Sequence, residues 1–263
     1  LDKASHHMAQ HMVDEVVEEV IEAAHLDGDN RRNKGIYLLP SLFTTGALFS
    51  GFYAIIAGMN QDFTLAAIAI FAAMVFDGLD GRVARLTGTE SAFGAEYDSL
   101  SDMVSFGVAP ALVAFSWMLK DLGKIGWVAA FVFVAGAALR LARFNVQIGS
   151  TDKKWFTGLP SPAAAATVAG LVWVLHETNF ASLWPEVLVA VVIAFTGLLM
   201  VSNVKYYSFK DIDLKNRVPF MVLIGLVLLL AVIALQPATM LLSLCIIYAF
   251  SGPLVQVLSR IKK

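Results

Sequence analysis

Phe76–Asp102 reads FDGLDGRVARLTGTESAFGAEYDSLSD, an acidic island in a chain that is otherwise strongly apolar. Apolar sequence runs into it from Phe63 and out of it to Leu119, the setting of membrane helices rather than of a soluble surface. Its aspartates fall in two pairs, Asp77 with Asp80 and Asp98 with Asp102. Spacings of three and four residues put each pair on one face of a helix. Two such helices laid face to face would bring all of these carboxylates to one point. A charge within a membrane span costs about 2.5–3.5 kcal/mol on insertion scales, so residues of this kind are functional by default. Clustered anions also oppose one another's ionisation unless a cation neutralises them. Hard divalent ions such as Mg²⁺ or Mn²⁺ take carboxylate ligands. The window reads as a metal site; the competing structural reading bridges the acids to Arg82 and Arg85.

Composition agrees with the setting. The 263 residues are 58% hydrophobic and only 15% charged, with a mean hydropathy of +0.71. That is too apolar for a soluble domain and points to a polytopic, all-α membrane helix bundle with no nucleic-acid partner. Apolar spans are predicted at Ile36–Ala57, Phe63–Val83, Tyr97–Leu119, Ile125–Arg143, Pro162–Leu175, Val187–Val201, Val218–Leu235 and Thr239–Leu258. Several approach the roughly 20 residues that a bilayer requires. The expected division is an appended or disordered segment at 1–12, an acidic amphipathic segment at 13–34, a helical core at 35–217 and two further helices at 218–263. The single cysteine, Cys245, lies in an apolar run and reads as packing.

Lysine and arginine set the orientation. Arg31, Arg32 and Lys34 precede the first span, and Arg82 and Arg85 end the second. Arg140, Arg143, Lys153 and Lys154 close the fourth; Lys205, Lys210, Lys215 and Arg217 separate the sixth and seventh. If the helices alternate, all of these fall on one side with the C-terminal Arg260, Lys262 and Lys263, so both termini are expected in the cytoplasm. Asp77 then lies about 21 Å along the second span, in the cytoplasmic half of a bilayer core about 30 Å thick. A lipid headgroup and a water-soluble reactant can meet there.

The window has the form D-x-x-D-G-x-x-A-R, eight residues, then G-x-x-x-D-x-x-x-D. It resembles the signature of the CDP-alcohol phosphotransferase family, with every defined position present: Asp77, Asp80, Gly81, Ala84, Arg85, Gly94, Asp98 and Asp102. The resemblance implies a six-helix core, here with two helices added, that moves a phosphoalcohol from a CDP-activated donor to a second alcohol and releases CMP. It implies two metal ions, Mg²⁺ or Mn²⁺: Asp77 and Asp98 bridging both, Asp80 completing the first site, Asp102 the second. Asp102 is also the implied general base toward the acceptor hydroxyl. Gly81 and Ala84 would let the nucleotide approach the helix backbone, and Arg85 would hold a phosphate. Leu39–Thr44 resembles the Pro-Asn-x-x-Thr opening the first helix of relatives, with Ser41 in place of Asn. Thr44 is a candidate nucleotide contact, an ordinary intrahelical hydroxyl bond being the alternative.

Three further segments, Ser105–Ala111 (SFGVAPA), Ala138–Asn145 (ALRLARFN) and Phe156–Ala165 (FTGLPSPAAA), resemble the phosphatidylserine synthase branch of that family. This implies CDP-diacylglycerol as donor and L-serine as acceptor, in a prokaryotic inner membrane, by an enzyme expected to be a homodimer. Arg140 and Arg143 are the candidates for the acceptor's anionic group, with anchoring at headgroup level as the alternative. Small residues at Gly46, Ser50 and Gly51 offer a packable face for a second copy. Other readings stay open: another acceptor such as glycerol 3-phosphate or inositol phosphate, or a metal-ion transporter using the same acids. Transporters bind near the midplane and are often built from repeats; no repeat is visible here.

Overall fold

Gly88 adopts a left-handed conformation (φ 63°) that closes the helix carrying the first acid pair. Three residues on, the Ser91 hydroxyl accepts the Gly94 N–H at 3.0 Å and opens the helix carrying the second. Gly94 therefore serves the first turn of that helix, which begins at Ala92 instead of near Tyr97. Such local signals divide the chain into rods. The computed structural model describes residues 34–146, 155–178, 185–207 and 220–261. The expected segments at 1–12 and 13–34, apart from Lys34 itself, and the loop residues Lys153, Lys154, Lys210, Lys215 and Arg217, lie outside the described residues.

Helix α1 spans Lys34–Met59, and α2 spans Phe63–Thr87. The third rod is α3 (Ala92–Asp102), a π-helical turn (Met103–Val108) and α4 (Ala109–Trp117). Helix α5 spans Lys124–Val146, α6 Ser161–Glu177, α7 Glu186–Val201, α8 Phe220–Leu235 and α9 Pro237–Ile261. Pro40–Met59, Phe63–Thr87, Ala92–Trp117, Lys124–Val146 and Pro237–Gln256 are long and apolar enough to cross a membrane, and Glu186–Val201 is a shorter apolar helix. The protein is an integral membrane helix bundle, with rods at all the expected places. One element was not foreseen. Strands β1 (Trp155–Thr157) and β2 (Lys205–Tyr207) pair antiparallel, Phe156 opposite Tyr206, joining the segments that follow α5 and α7.

Pro40–Lys263 is one compact unit, with α6 at its centre. Ala164, Ala165, Ala166, Val168, Ala169 and Val172 of α6 are buried, and α6 packs on α2, α4 and α9. Small side chains allow this closeness, since lipid supplies no hydrophobic drive between helices and packing must do the work. Helices α5 and α7 make the most extensive pairing. A Cβ on Gly136 would stand 2.3 Å from the Gly197 carbonyl oxygen, so only glycine fits that crossing.

The small face of α1 is used inside the chain, which corrects the expectation that it pairs with a second copy. A Cβ on Gly51 would lie 2.6 Å from Ser105 Cα, and one on Gly46 would lie 3.3 Å from the Phe76 ring. Ser50 is buried and returns its hydroxyl to the Gly46 carbonyl at 2.8 Å. The face was read correctly as packable. Its partner is the acid-bearing pair of rods.

Candidate active site

Asp77 and Asp80 share a face of α2 in its second half, with Gly81 and Ala84 along the same stripe and Arg85 in the last turn. Asp98 and Asp102 stand one turn apart in α3. One oxygen from each of Asp77, Asp98 and Asp102 lies within 4.8 Å of the others. Asp80 sits beside this trio rather than in it. It is buried, in hydrogen-bond contact with Asp98, and accepts the Thr44 hydroxyl at 2.8 Å. Asp102 lies within electrostatic reach of Asp77, Asp98 and Asp80. The two pairs thus form one continuous acidic patch, as the spacing predicts, but with unequal members.

The donor set fits a hard divalent cation. Opposite ligands of an octahedral Mg²⁺ stand about 4.2 Å apart, twice a metal–oxygen distance of about 2.1 Å, close to the spread of the trio. Carboxylates this near one another repel in a partly buried setting, and a dication is the economical way to hold them together. The Thr44 bond adds an outer partner that orients Asp80, the arrangement common behind metal ligands.

Hydroxyl groups of α1 and α3 lock the two helices at this level. Ser101 donates to the Thr44 carbonyl at 3.2 Å, Ser105 donates to the Ala47 carbonyl at 3.0 Å, and Thr45 and Tyr97 share a hydrogen bond of 2.9 Å. Ser105 lies in the π-helical turn that follows Asp102 directly. Pro110 has no N–H to return to the Phe106 carbonyl, and the helix widens to π register just before it. These serines were not singled out in the sequence, although their i, i+4 spacing beside the acids was a signal.

The arginines separate. Arg85 is exposed; a Cβ on Gly81 would come within 3.5 Å of its Nη1, so its guanidinium lies back along its own helix over Gly81. It is also within electrostatic reach of Asp80. Arg140 is only 8% exposed, which is incompatible with anchoring at headgroup level. Its Nη1 donates to Ser161 Oγ at 3.2 Å, its Nε is buried without a hydrogen-bond partner, and it lies within electrostatic reach of Asp102. Arg143 is half-buried and directs Nη1 to Asn203 Oδ1 at 3.5 Å. Partners on different segments make the two a poor joint clamp for one anion. Asn145 and Ser99 are hydrogen-bonded, Nδ2 donating to Oγ at 3.1 Å, which ties the end of α5 to the acid-bearing helix.

A sequence profile described as CDP-alcohol phosphatidyltransferase matches residues 37–199. The chain is 41% identical over 191 residues, 73% of its own length and 81% of the other's, to a Helicobacter pylori protein named CDP-diacylglycerol–serine O-phosphatidyltransferase. A Methanocaldococcus jannaschii protein of the same name is 38% identical over 183 residues, 70% of this chain and 80% of that one. An archaetidylserine synthase of Methanothermobacter thermautotrophicus is 38% identical over 170 residues, 64% of this chain and 69% of its own.

Proposed function

Because the chain belongs to the CDP-alcohol phosphatidyltransferase family, we propose that it transfers the phosphatidyl group of CDP-diacylglycerol to the hydroxyl of L-serine, giving phosphatidylserine and CMP. Relatives from bacteria and archaea bear names that share serine while differing in the lipid. The observation that carries the reading is the trio of carboxylate oxygens within 4.8 Å, flanked by Asp80, between the second half of α2 and α3.

Asp77, Asp98 and Asp102, with Asp80 at their side, are the residues that would hold divalent metal, in two ions of Mg²⁺ or Mn²⁺. When bound, such ions supply charge neutralisation to the pyrophosphate oxygens. The chain's own residues do the rest. Gly81 and Ala84 leave the α2 backbone open to the cytidine side of the donor. Arg85, exposed at the end of that helix, meets a donor phosphate. Asp102 accepts the proton of the serine hydroxyl as that oxygen attacks the β-phosphorus. Arg140, beside Asp102, receives the serine carboxylate, with Arg143 at the rim. Thr44 is better read as the orienter of Asp80 than as a nucleotide contact, because its hydroxyl lies on the Asp80 carboxylate at 2.8 Å and, in the intrahelical arrangement that was the alternative, 3.1 Å from the Pro40 carbonyl.

The positive loops support a site and both termini facing the cytoplasm of a prokaryotic inner membrane. The division into a core at 35–217 and two added helices at 218–263 is supported by the profile, which ends at residue 199. A homodimer is the expected assembly. Since the small face of α1 is occupied, its surface must come from elsewhere. Incubating the purified protein with CDP-diacylglycerol and, separately, L-serine, glycerol 3-phosphate or inositol phosphate tests the reading. Phosphatidylserine is the expected product, and turnover with a phosphorylated acceptor but not with serine would overturn it.

A further inference from the structure

Between strand β1 and helix α6 the chain makes one short turn, Gly158-Leu159-Pro160, before Ser161 opens the helix. Gly158 takes a left-handed backbone (φ 82°), and a side chain there would run into the Met200 carbonyl oxygen near the end of α7. Its N–H donates to the Val204 carbonyl at 2.8 Å, and the Leu159 N–H donates to the Leu199 carbonyl at 3.0 Å. Pro160 and Pro162 restrict the backbone on either side of Ser161. The Pro160 carbonyl accepts the Ala164 N–H at 2.9 Å in the first turn of α6. Ser161, only 1% exposed, therefore stands on a clamped turn.

That hydroxyl meets Arg140, whose Nη1 donates to Ser161 Oγ at 3.2 Å. Two contacts between α5 and the third rod place the arginine level with the acids. A Cβ on Gly107 would lie 3.2 Å from Ala137 Cβ, and Asn145 Nδ2 donates to Ser99 Oγ at 3.1 Å. The contacts are equally spaced on the two rods and run in opposite directions. The rods are therefore antiparallel and in step over roughly 12 Å, at 1.5 Å per residue. Asp102 and Arg140 both fall inside that interval. A guanidinium is a rigid planar fork, so holding Nη1 fixes where its other N–H groups point. Its Nε is buried with no hydrogen-bond partner, a costly state for a buried cation that an arriving anion relieves.

We propose that Ser161 is a positioning residue for the acceptor: from its clamped turn it holds the Arg140 guanidinium in the orientation that receives the carboxylate of an amino-acid acceptor at the level of Asp102. The turn between β1 and α6, which belongs to neither acid-bearing helix, thereby sets how well the acceptor binds. This rests on the serine reading above, and the experiment separates the two. The protein in lipid micelles with divalent metal is compared as wild type, Ser161→Ala and Ser161→Thr, recording KM for serine, KM for CDP-diacylglycerol, kcat and melting temperature. Ser161→Ala should raise the serine KM about tenfold, the scale of one hydrogen bond to a charged group. The donor KM and kcat should stay within about twofold. Ser161→Thr, which keeps the hydroxyl, should recover most of the serine KM. Ser161→Cys keeps the volume with a weaker acceptor and gives the same reading should the alanine variant not fold. A serine KM unchanged in a folded Ala or Cys variant, an equal rise in both KM values, or a folded Thr variant as impaired as Ala overturns the proposal while leaving the serine reading standing. A wild type that does not use serine overturns both.

Discussion

Asp80 shows how one residue type at one motif takes unequal positions. The other acids share a point within 4.8 Å, whereas Asp80 is buried to the side with the Thr44 hydroxyl on it at 2.8 Å. Removing one charge from the trio should therefore cost more than disturbing the support behind Asp80. Asp77→Asn or Asp98→Asn is expected to leave less than about one per cent of wild-type turnover, beyond the 10–100-fold typical of an outer partner. A chelator should silence the wild type, and added Mg²⁺ or Mn²⁺ should restore it; full activity in either Asn variant would sink the assignment. Thr44→Val is expected to weaken metal binding about tenfold, read directly by calorimetric Mn²⁺ titration, with Thr44→Ser recovering most of it. Arg143→Ala offers a third comparison. If Arg143 only lines the rim, the serine KM should rise less than in Arg140→Lys, and the reverse order would exchange their roles.

At the scale of elements, the crossing of α1 with the third rod sets the distance between the Asp80 support and the acids of α3. Gly51 permits it: any Cβ there would be 2.6 Å from Ser105 Cα. Ser101 and Ser105 then bond the α1 backbone at 3.2 and 3.0 Å. Gly51→Val should push the helices apart, at a cost of about 1–3 kcal/mol from overpacking. The expected readout is a lower melting temperature together with turnover lost out of proportion to the folded fraction. Normal specific activity in the folded fraction would mean that the crossing does not position the site. The π-helical turn belongs to the same device, since it carries Ser105 and starts directly after Asp102.

At the scale of the molecule, the bundle collects carboxylates on α2 and α3 and a buried arginine on α5, and among the described residues no cysteine or histidine joins the acidic cluster. Cys245 lies on α9, half-buried. Direct attack by the acceptor is expected, giving inversion at phosphorus with a chiral thiophosphate donor. Net retention would demand a covalent intermediate on the protein. Mass measurement in a native-like bilayer should find a dimer. An active monomer would refute that expectation and leave the exposed Phe49, Phe52 and Ile56 of α1 to lipid.

The sequence by itself determined which segments become rods and which rods carry the chemistry. Hydrophobic runs of bilayer length leave the backbone no alternative to helix in lipid. An acid pair three or four residues apart shares a helix face wherever that helix is packed. The sequence could not say that Asp80 would stand aside from the other acids, because that depends on where Thr44 of another helix arrives. It likewise left Arg140 and Arg143 equivalent, since i, i+3 spacing describes one helix and burial is decided by its neighbours. The same holds for Gly51, whose smallness announces a close approach without naming the partner. Periodicity is local and survives in the sequence. Which faces meet is a property of the packed bundle, and the tertiary structure alone decided it.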